Sequence, residues 1–173
     1  MITNTGSYRI VIFQRSPLIA DALAALVRRH SAWTVHFATA ELGAAIAAAS
    51  DRGISALLFE SPVGRSKALS ALIRRLRISC PGVPLILVTQ GDGAGFLRGK
   101  AARSLAAIVH FQDAVEAARE ALDSVEGGYH YRSPVIRQRL KLAPTSGRKV
   151  RRIGVPPLHR SGRPTLPCSR DTH

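Results

Sequence analysis

Five short runs of apolar and β-branched residues recur along the chain, and a stretch with helical periodicity follows each of them. Strands that alternate with helices pair in parallel, because each helix carries the chain back across the sheet. The pattern predicts an α/β fold, a doubly wound five-stranded parallel sheet with five helices. The five predicted strands are Arg9–Phe13, Trp33–Ala38, Ile54–Phe59, Pro84–Thr89 and Ala106–Phe111.

Start signals place the helices between these strands. Ser16-Pro17 is a cap followed by proline, and Asp113 with Glu116 three residues later forms a capping-box-like pair before an amphipathic helix that ends at a glycine pair. A shorter helix begins at Ser133-Pro134 and runs to about Leu140. The other predicted helices are Glu41–Ser50, Ser66–Ile78 and Ala94–Arg103.

Charge separates the end of the chain from the rest. The whole chain carries a formal net charge of +14, and residues 141–173 hold 8 Lys and Arg against 1 Asp. Five of the ten prolines also lie there, and large apolar residues are few, so this segment cannot offset its ordering entropy. We expect a folded domain over residues 1–126, a linker turn and short helix over 127–140, and a disordered basic tail over 141–173.

The carboxyl ends of the predicted strands are where a doubly wound sheet binds its ligands. The residues there are Gln14 and Arg15 after the first strand, Phe59 in the third, Thr89 in the fourth and Gln112 after the fifth. A glycine-rich loop at residues 91–95 follows the fourth strand but lacks the spacing of a phosphate-binding loop. None of these residues forms a nucleophile–base pair, so we expect no enzymatic activity.

Four motifs resemble a known family. They are V-I-F-Q-R-S-P-L, L-L-F-E-S-P-V-G, P-L-I-L-V-T and the run F-Q-D-A-V-E-A-A-R-E-A-L-D-S-V-E-G-G-Y-H-Y-R-S-P. Together they resemble the CheY-like receiver domain of bacterial response regulators, specifically the LuxR-type helix-turn-helix class that includes the Rcs capsule regulators. The resemblance covers about residues 9–140 and implies the flavodoxin-like strand order 2-1-3-4-5.

The resemblance also identifies a degenerate phosphoacceptor pocket. The family has an acidic pair where this chain has Gln14 and Arg15, the phosphoacceptor aspartate where it has Phe59, and a lysine where it has Gln112, while Thr89 matches the switch hydroxyl. Carboxylates hold magnesium and supply the nucleophile for the phosphoryl group. We therefore expect a pseudo-receiver that is not phosphorylated at the usual position and that uses no cofactor and no metal.

Glu60 leaves two further readings open. An acid next to the acceptor position could mimic a phosphorylated aspartate, although side-chain alternation along a strand directs Glu60 away from the side that Phe59 faces. Alternatively, Arg15 and Glu60 could form an ion pair at the rim of the pocket.

The end of the chain has a different composition from the module that follows in the resembled family. No periodic apolar pattern for a DNA-reading helix-turn-helix follows Leu140. The cluster Arg148, Lys149, Arg151 and Arg152 could bind nucleic acid weakly and without sequence preference, or it could be the remnant of a frame shift. Neither the two cysteines nor the six histidines have the spacing of a metal site.

The favoured function is that of a pseudo-receiver acting by protein–protein contact in bacterial transcriptional regulation. Its expected partner is a second copy or a related response regulator, through faces that include the first and fifth helices. Two alternatives remain: a phosphorelay response regulator with an atypical acceptor, and a small basic nucleic-acid-binding protein. With no apolar run long enough to cross a bilayer and no signal-peptide pattern, a cytoplasmic location and no membrane association are expected.

Overall fold

The fold is a parallel sheet between two layers of helices. The computed structural model describes residues 8–30, 32–61, 66–90, 96–97 and 99–140. The predictions on the glycine-rich loop and on the basic tail lie outside these residues. The strands are β1 Tyr8–Phe13, β2 Trp33–Thr39, β3 Ile54–Glu60, β4 Leu85–Thr89, β5 Ala107–His110 and β6 Tyr131–Arg132. The helices are α1 Pro17–Arg28, α2 Leu42–Ala49, α3 Ser66–Ser79, α4 Lys100–Arg103, α5 Ala114–Glu126 and α6 Pro134–Leu140.

The sheet has the order β2-β1-β3-β4-β5-β6, and all of its recorded pairs are parallel. The predicted order of the first five strands is confirmed. The predicted five-stranded sheet with five helices is wrong in number, because the described residues contain six strands and six helices, and the sixth helix, α6, is the short helix predicted separately from Ser133-Pro134. The sixth strand has only two residues, Tyr131 and Arg132, which pair with Ala107 and Ile108 of β5.

Each face of the sheet buries its own apolar cluster. On one face, α1 and α5, which we call the two-helix layer, pack on side chains that include Ile10, Ile12 and Leu58. On the other face, α2, α3, α4 and α6, the four-helix layer, pack on Val11, Leu57 and Phe59. Successive residues of β1 and β3 therefore face opposite layers, as strand geometry requires. Because the residues on both faces are apolar, the sequences of these strands are continuous apolar runs.

The segment after α5 lies against the rest of the sheet. Gly128 adopts a φ of 72°, which favours glycine, and a Cβ on Gly127 would lie 2.8 Å from the ring of Tyr129. This tight turn returns the chain to the outer side of β5, where Tyr131 is 8% exposed and Ile136 of α6 is 1% exposed. The domain boundary after residue 126 stays a prediction.

Asp113 caps a different helix from the expected one. Its backbone lies in the αR region after a 3₁₀ turn over Phe111–Asp113, and its carboxylate makes no capping bond to α5. Instead, Oδ2 of Asp113 accepts a hydrogen bond of 2.9 Å from the backbone N–H of Val135, in the first turn of α6. The carboxylate therefore joins α6 to the start of α5.

Candidate functional site

The carboxyl ends of four neighbouring strands meet at one edge of the sheet. Phe13 pairs with Phe59 in the register of β1 and β3, and Thr89 pairs with His110 in that of β4 and β5. The chain leaves these strands at Gln14, Glu60, Gln90 and His110. Hydrogen bonds link these four side chains and their backbones, and we call the set the edge network.

Gln14 and Glu60 form the centre of the edge network. The amide Nε2 of Gln14 donates to Oε2 of Glu60, and its Oε1 accepts from the backbone N–H of Ser16 at 3.1 Å. Gln14 is buried at 3% exposure. A second amide, Nε2 of Gln90, donates to Oε1 of Glu60 at 3.4 Å. Both carboxylate oxygens of Glu60 are thus bound by glutamine side chains, which satisfies a half-buried charge without a metal or an arginine.

His110 extends the network to β5. Its Nδ1 accepts from the backbone N–H of Gln112 at 3.2 Å, so its Nε2 carries the proton and donates to the backbone carbonyl of Gln90 at 3.0 Å. The backbone N–H of His110 donates to Oγ of Ser133 at 2.9 Å. The imidazole is 2% exposed, so it holds the end of β5 and does not offer a proton-transfer group to solvent.

Phe59 does not lie beside Gln14. Its side chain is fully buried in the cluster beneath the four-helix layer, together with Val11, Phe13 and Leu57. Gln14 directly follows Phe13 and Glu60 directly follows Phe59, so side-chain alternation turns Gln14 and Glu60 to the other side of the sheet. The structure therefore brings Glu60, and not Phe59, to the side chain of Gln14 at the edge that the resemblance assigns to phosphoryl chemistry.

The remaining predicted site residues lie in separate positions. Thr89 is 4% exposed at the end of β4. Arg15 and Gln112 are exposed, and the recorded bond of Gln112 is the one from its backbone to His110. Within the described parts of the chain, no ion pair joins Arg15 to Glu60. The tail cluster Arg148, Lys149, Arg151 and Arg152 lies outside the described residues.

Sequence reasoning missed two members of the edge network. Gln90 follows directly after Thr89, and His110 ends the fifth apolar run, so their positions at strand ends could have identified both residues as candidates. Their roles depend on backbone contacts between strands, which residue types alone do not give.

Comparison with known proteins identifies the fold. No protein-family model matches the chain, and no curated protein matches it. The isolated REC domain of RcsB from Salmonella enterica serovar Typhimurium, solved with the phosphomimetic BeF3-, superposes with a TM-score of 0.68 at 15% identity, over 78% of this chain and 99% of that one.

Two further solved structures agree with it. A LuxR-family two-component response regulator from Aurantimonas superposes with a TM-score of 0.67 at 18% identity, over 78% of this chain and 96% of that one. RcsB dimers bound to DNA superpose with a TM-score of 0.67 at 15% identity, over 76% of this chain and 66% of RcsB, so the chain spans about two thirds of that protein. The described residues therefore have the CheY-like receiver fold.

A receiver fold implies a magnesium site at this edge, and the residues present do not fit one. Magnesium prefers several oxygen ligands, carboxylates above all. Here the amide oxygen of Gln14 is bound to Ser16, the carboxylate of Glu60 is bound to two amides, and Arg15 adds a positive charge to the same loop. Among the described residues, no three His, Cys, Asp or Glu side chains are grouped to hold a metal ion.

Two other features of the described residues bear on function. Cys80 is buried and unpaired, and burial raises the pKa of its thiol, so it is a poor nucleophile. In this part of the chain, no helix combines the length and the apolar character that a bilayer crossing needs.

Proposed function

We propose that the chain is a phosphorylation-independent pseudo-receiver that acts by protein–protein contact in bacterial transcriptional regulation, in the cytoplasm and without an enzymatic reaction. The observation that carries the proposal is the edge network, in which the acceptor edge holds one carboxylate already bound by Gln14 and Gln90. Because internal hydrogen bonds already order these side chains, no phosphoryl group or metal ion is needed to order them.

The two-helix layer supplies the surface for the proposed contact. Leu18 in the first turn of α1 is 79% exposed, and Val115 in the first turn of α5 is 66% exposed. Both helices begin at the same edge of the sheet, and a small apolar cavity between them and the sheet is lined by Leu26 and Ala118 among others. Exposed apolar side chains in the first turns of both helices favour association.

The proposed partner is a second copy of this chain or a related response regulator. A second copy offers the same exposed apolar side chains, Leu18 and Val115, so a two-fold contact through this face is chemically self-complementary. RcsB, which shares the fold, is described as forming dimers on DNA.

Light scattering of the full chain with and without acetyl phosphate and magnesium tests the proposal. We expect the same dimer in both conditions, because the edge network is already complete. A monomer in both conditions, or a dimer that forms only with acetyl phosphate, would contradict it.

One observation favours a second candidate, a phosphorelay regulator with an atypical acceptor. Glu60 is a carboxylate at the strand end beside Gln14, so a nucleophile is present where Phe59 alone would offer none. This candidate predicts phosphoryl incorporation that Glu60→Gln abolishes. The pseudo-receiver predicts no incorporation in either protein.

A further inference from the structure

The four-helix layer has a charge of one sign. Helix α3 carries four basic residues, α4 carries two and α6 carries two, and none of these helices, nor α2, contains an acidic residue. The four helices therefore contain eight basic residues and no acidic residue. In the two-helix layer, by contrast, α5 alone carries four acidic residues and one arginine.

Most of these positive side chains face solvent. In α3, Leu69, Ile73 and Leu76 are buried, and this places Lys67, Arg74 and Arg75 on the outer side, where they are exposed. We call the exposed set the basic surface. Its members are Lys67, Arg74 and Arg75 of α3, Lys100 and Arg103 of α4, and Arg137 and Arg139 of α6.

Two other arginines fasten the helices beneath the basic surface. Arg77 of α3 donates to the backbone carbonyl of Ser104, directly after α4. Arg132 of β6 donates to the carbonyl of Ala102 in α4 at 2.8 Å, and burial lowers the pKa of its guanidinium to about 10. Both cations bind carbonyls at the end of α4, where the helix dipole favours positive charge. These contacts hold α3 and β6 against the end of α4.

We propose that the basic surface binds the phosphate backbone of double-stranded DNA without reading its sequence. Helix α3, with 14 residues, is about 21 Å long, a length along which duplex DNA presents about 12 phosphate charges. The helices α3, α4 and α6 contain no aromatic residue, so the surface lacks the stacking side chains by which single strands are held. The proposal does not depend on the dimer proposed above.

Three Arg-Arg pairs in the chain allow a matched experiment. Arg74 and Arg75 lie on the basic surface, Arg28 and Arg29 are exposed at the end of α1 in the opposite layer, and Arg151 and Arg152 belong to the basic terminal segment. The double variants R74Q/R75Q, R28Q/R29Q and R151Q/R152Q each remove the same charge from the full-length chain. Fluorescence anisotropy with a labelled 20-base-pair duplex, between about 50 and 200 mM salt, measures the affinity and its salt dependence.

We expect R74Q/R75Q to weaken binding about tenfold or more at 100 mM salt and to reduce the slope of log K against log salt by about 1 to 2, the loss that two phosphate contacts carry. R28Q/R29Q is expected to bind like the parent protein. An R74Q/R75Q variant that binds like the parent, or one no weaker than R28Q/R29Q, overturns the proposal. If only R151Q/R152Q weakens binding, the terminal segment and not the folded layer holds the DNA, and the proposal is also wrong.

Parallel titrations with duplex RNA of the same length and with vesicles of anionic phospholipid test the choice of ligand. Tighter binding of the DNA than of either competitor supports the proposal. Retained vesicle binding without DNA binding contradicts it and assigns the basic surface to a membrane instead.

Discussion

The two layers of helices cover equally apolar faces of one sheet, yet their outer surfaces differ in sign and in character. The two-helix layer exposes Leu18 and Val115 beside the acidic residues of α5, whereas the helices of the four-helix layer expose arginine and lysine on three helices and contain no acidic residue. The inner faces are fixed by the need to bury the sheet, since both clusters are aliphatic and aromatic. The information about partners therefore lies on the outer faces, and the difference between them points to two separate contacts.

The largest expected effect concerns the inner side of the four-helix layer. Phe59→Ala removes a fully buried ring from the cluster with Val11 and Leu57, and we expect the free energy of unfolding to fall by about 4 kcal/mol. Chemical denaturation measures it. The neighbouring Glu60→Gln keeps the shape of a half-buried side chain, and we expect a loss below about 1 kcal/mol. Equal losses in the two variants would contradict the placement of Phe59 in the core.

A smaller effect tests whether association belongs to one layer only. Leu18→Glu places a charge on the exposed apolar surface of α1 and is expected to raise the dimer dissociation constant about tenfold or more, equivalent to about 1.4 kcal/mol. Ile78→Glu is the matched control, because Ile78 is 74% exposed but lies on α3 in the opposite layer. Sedimentation of both variants measures the constants. Weaker association in Ile78→Glu than in Leu18→Glu would assign the dimer to the other layer.

The smallest effect tests the junction between α5 and β6. The hydroxyl of Tyr131 donates to Oε2 of Glu120 at 2.7 Å, and burial, followed by this bond and the charge of Glu120, raises the pKa of the phenol. Because Glu120 is exposed, we expect Tyr131→Phe to lower the free energy of unfolding by only about 1 kcal/mol at neutral pH.

The same contact has a defined pH dependence. A raised pKa in the folded state means that the stabilisation is complete below the ordinary tyrosine value of about 10 and is lost as pH rises above it. Denaturation at pH 8 and at pH 11 should therefore show a loss of stability in the parent protein that is smaller in Tyr131→Phe. An equal loss in both proteins would show that the phenol is not coupled to folding.

The sequence was sufficient to predict the main strands but not the edge network. Continuous apolar runs predicted the positions of β1, β3, β4 and β5, because strands buried on both faces need no polar alternation, and alternation predicted the largely exposed β2. Alternation predicted that Glu60 points away from the side that Phe59 faces, but it did not identify the partner of Glu60. When both faces of a strand are apolar, only the register between β1 and β3 shows that Glu60 lies on the same side of the sheet as Gln14.

Local sequence patterns also failed to predict two short segments, the strand β6 and the turn before α5. Tyr131 and Arg132 form a two-residue strand whose existence depends on pairing with β5, which no local periodicity records. The capping-box pattern at Asp113 was present in the sequence, but the preceding 3₁₀ turn changed the backbone geometry and turned the carboxylate to Val135. In both cases a tertiary contact decided the outcome.

The account depends most on the edge network, and intact-mass spectrometry after incubation with acetyl phosphate and magnesium tests it most directly. With both oxygens of Glu60 bound by glutamine amides, we predict that the full chain keeps its unmodified mass and that Glu60→Gln behaves in the same way. A stoichiometric gain of one phosphoryl group in the parent chain, absent from Glu60→Gln, would show that the edge is a working acceptor site and would contradict the account.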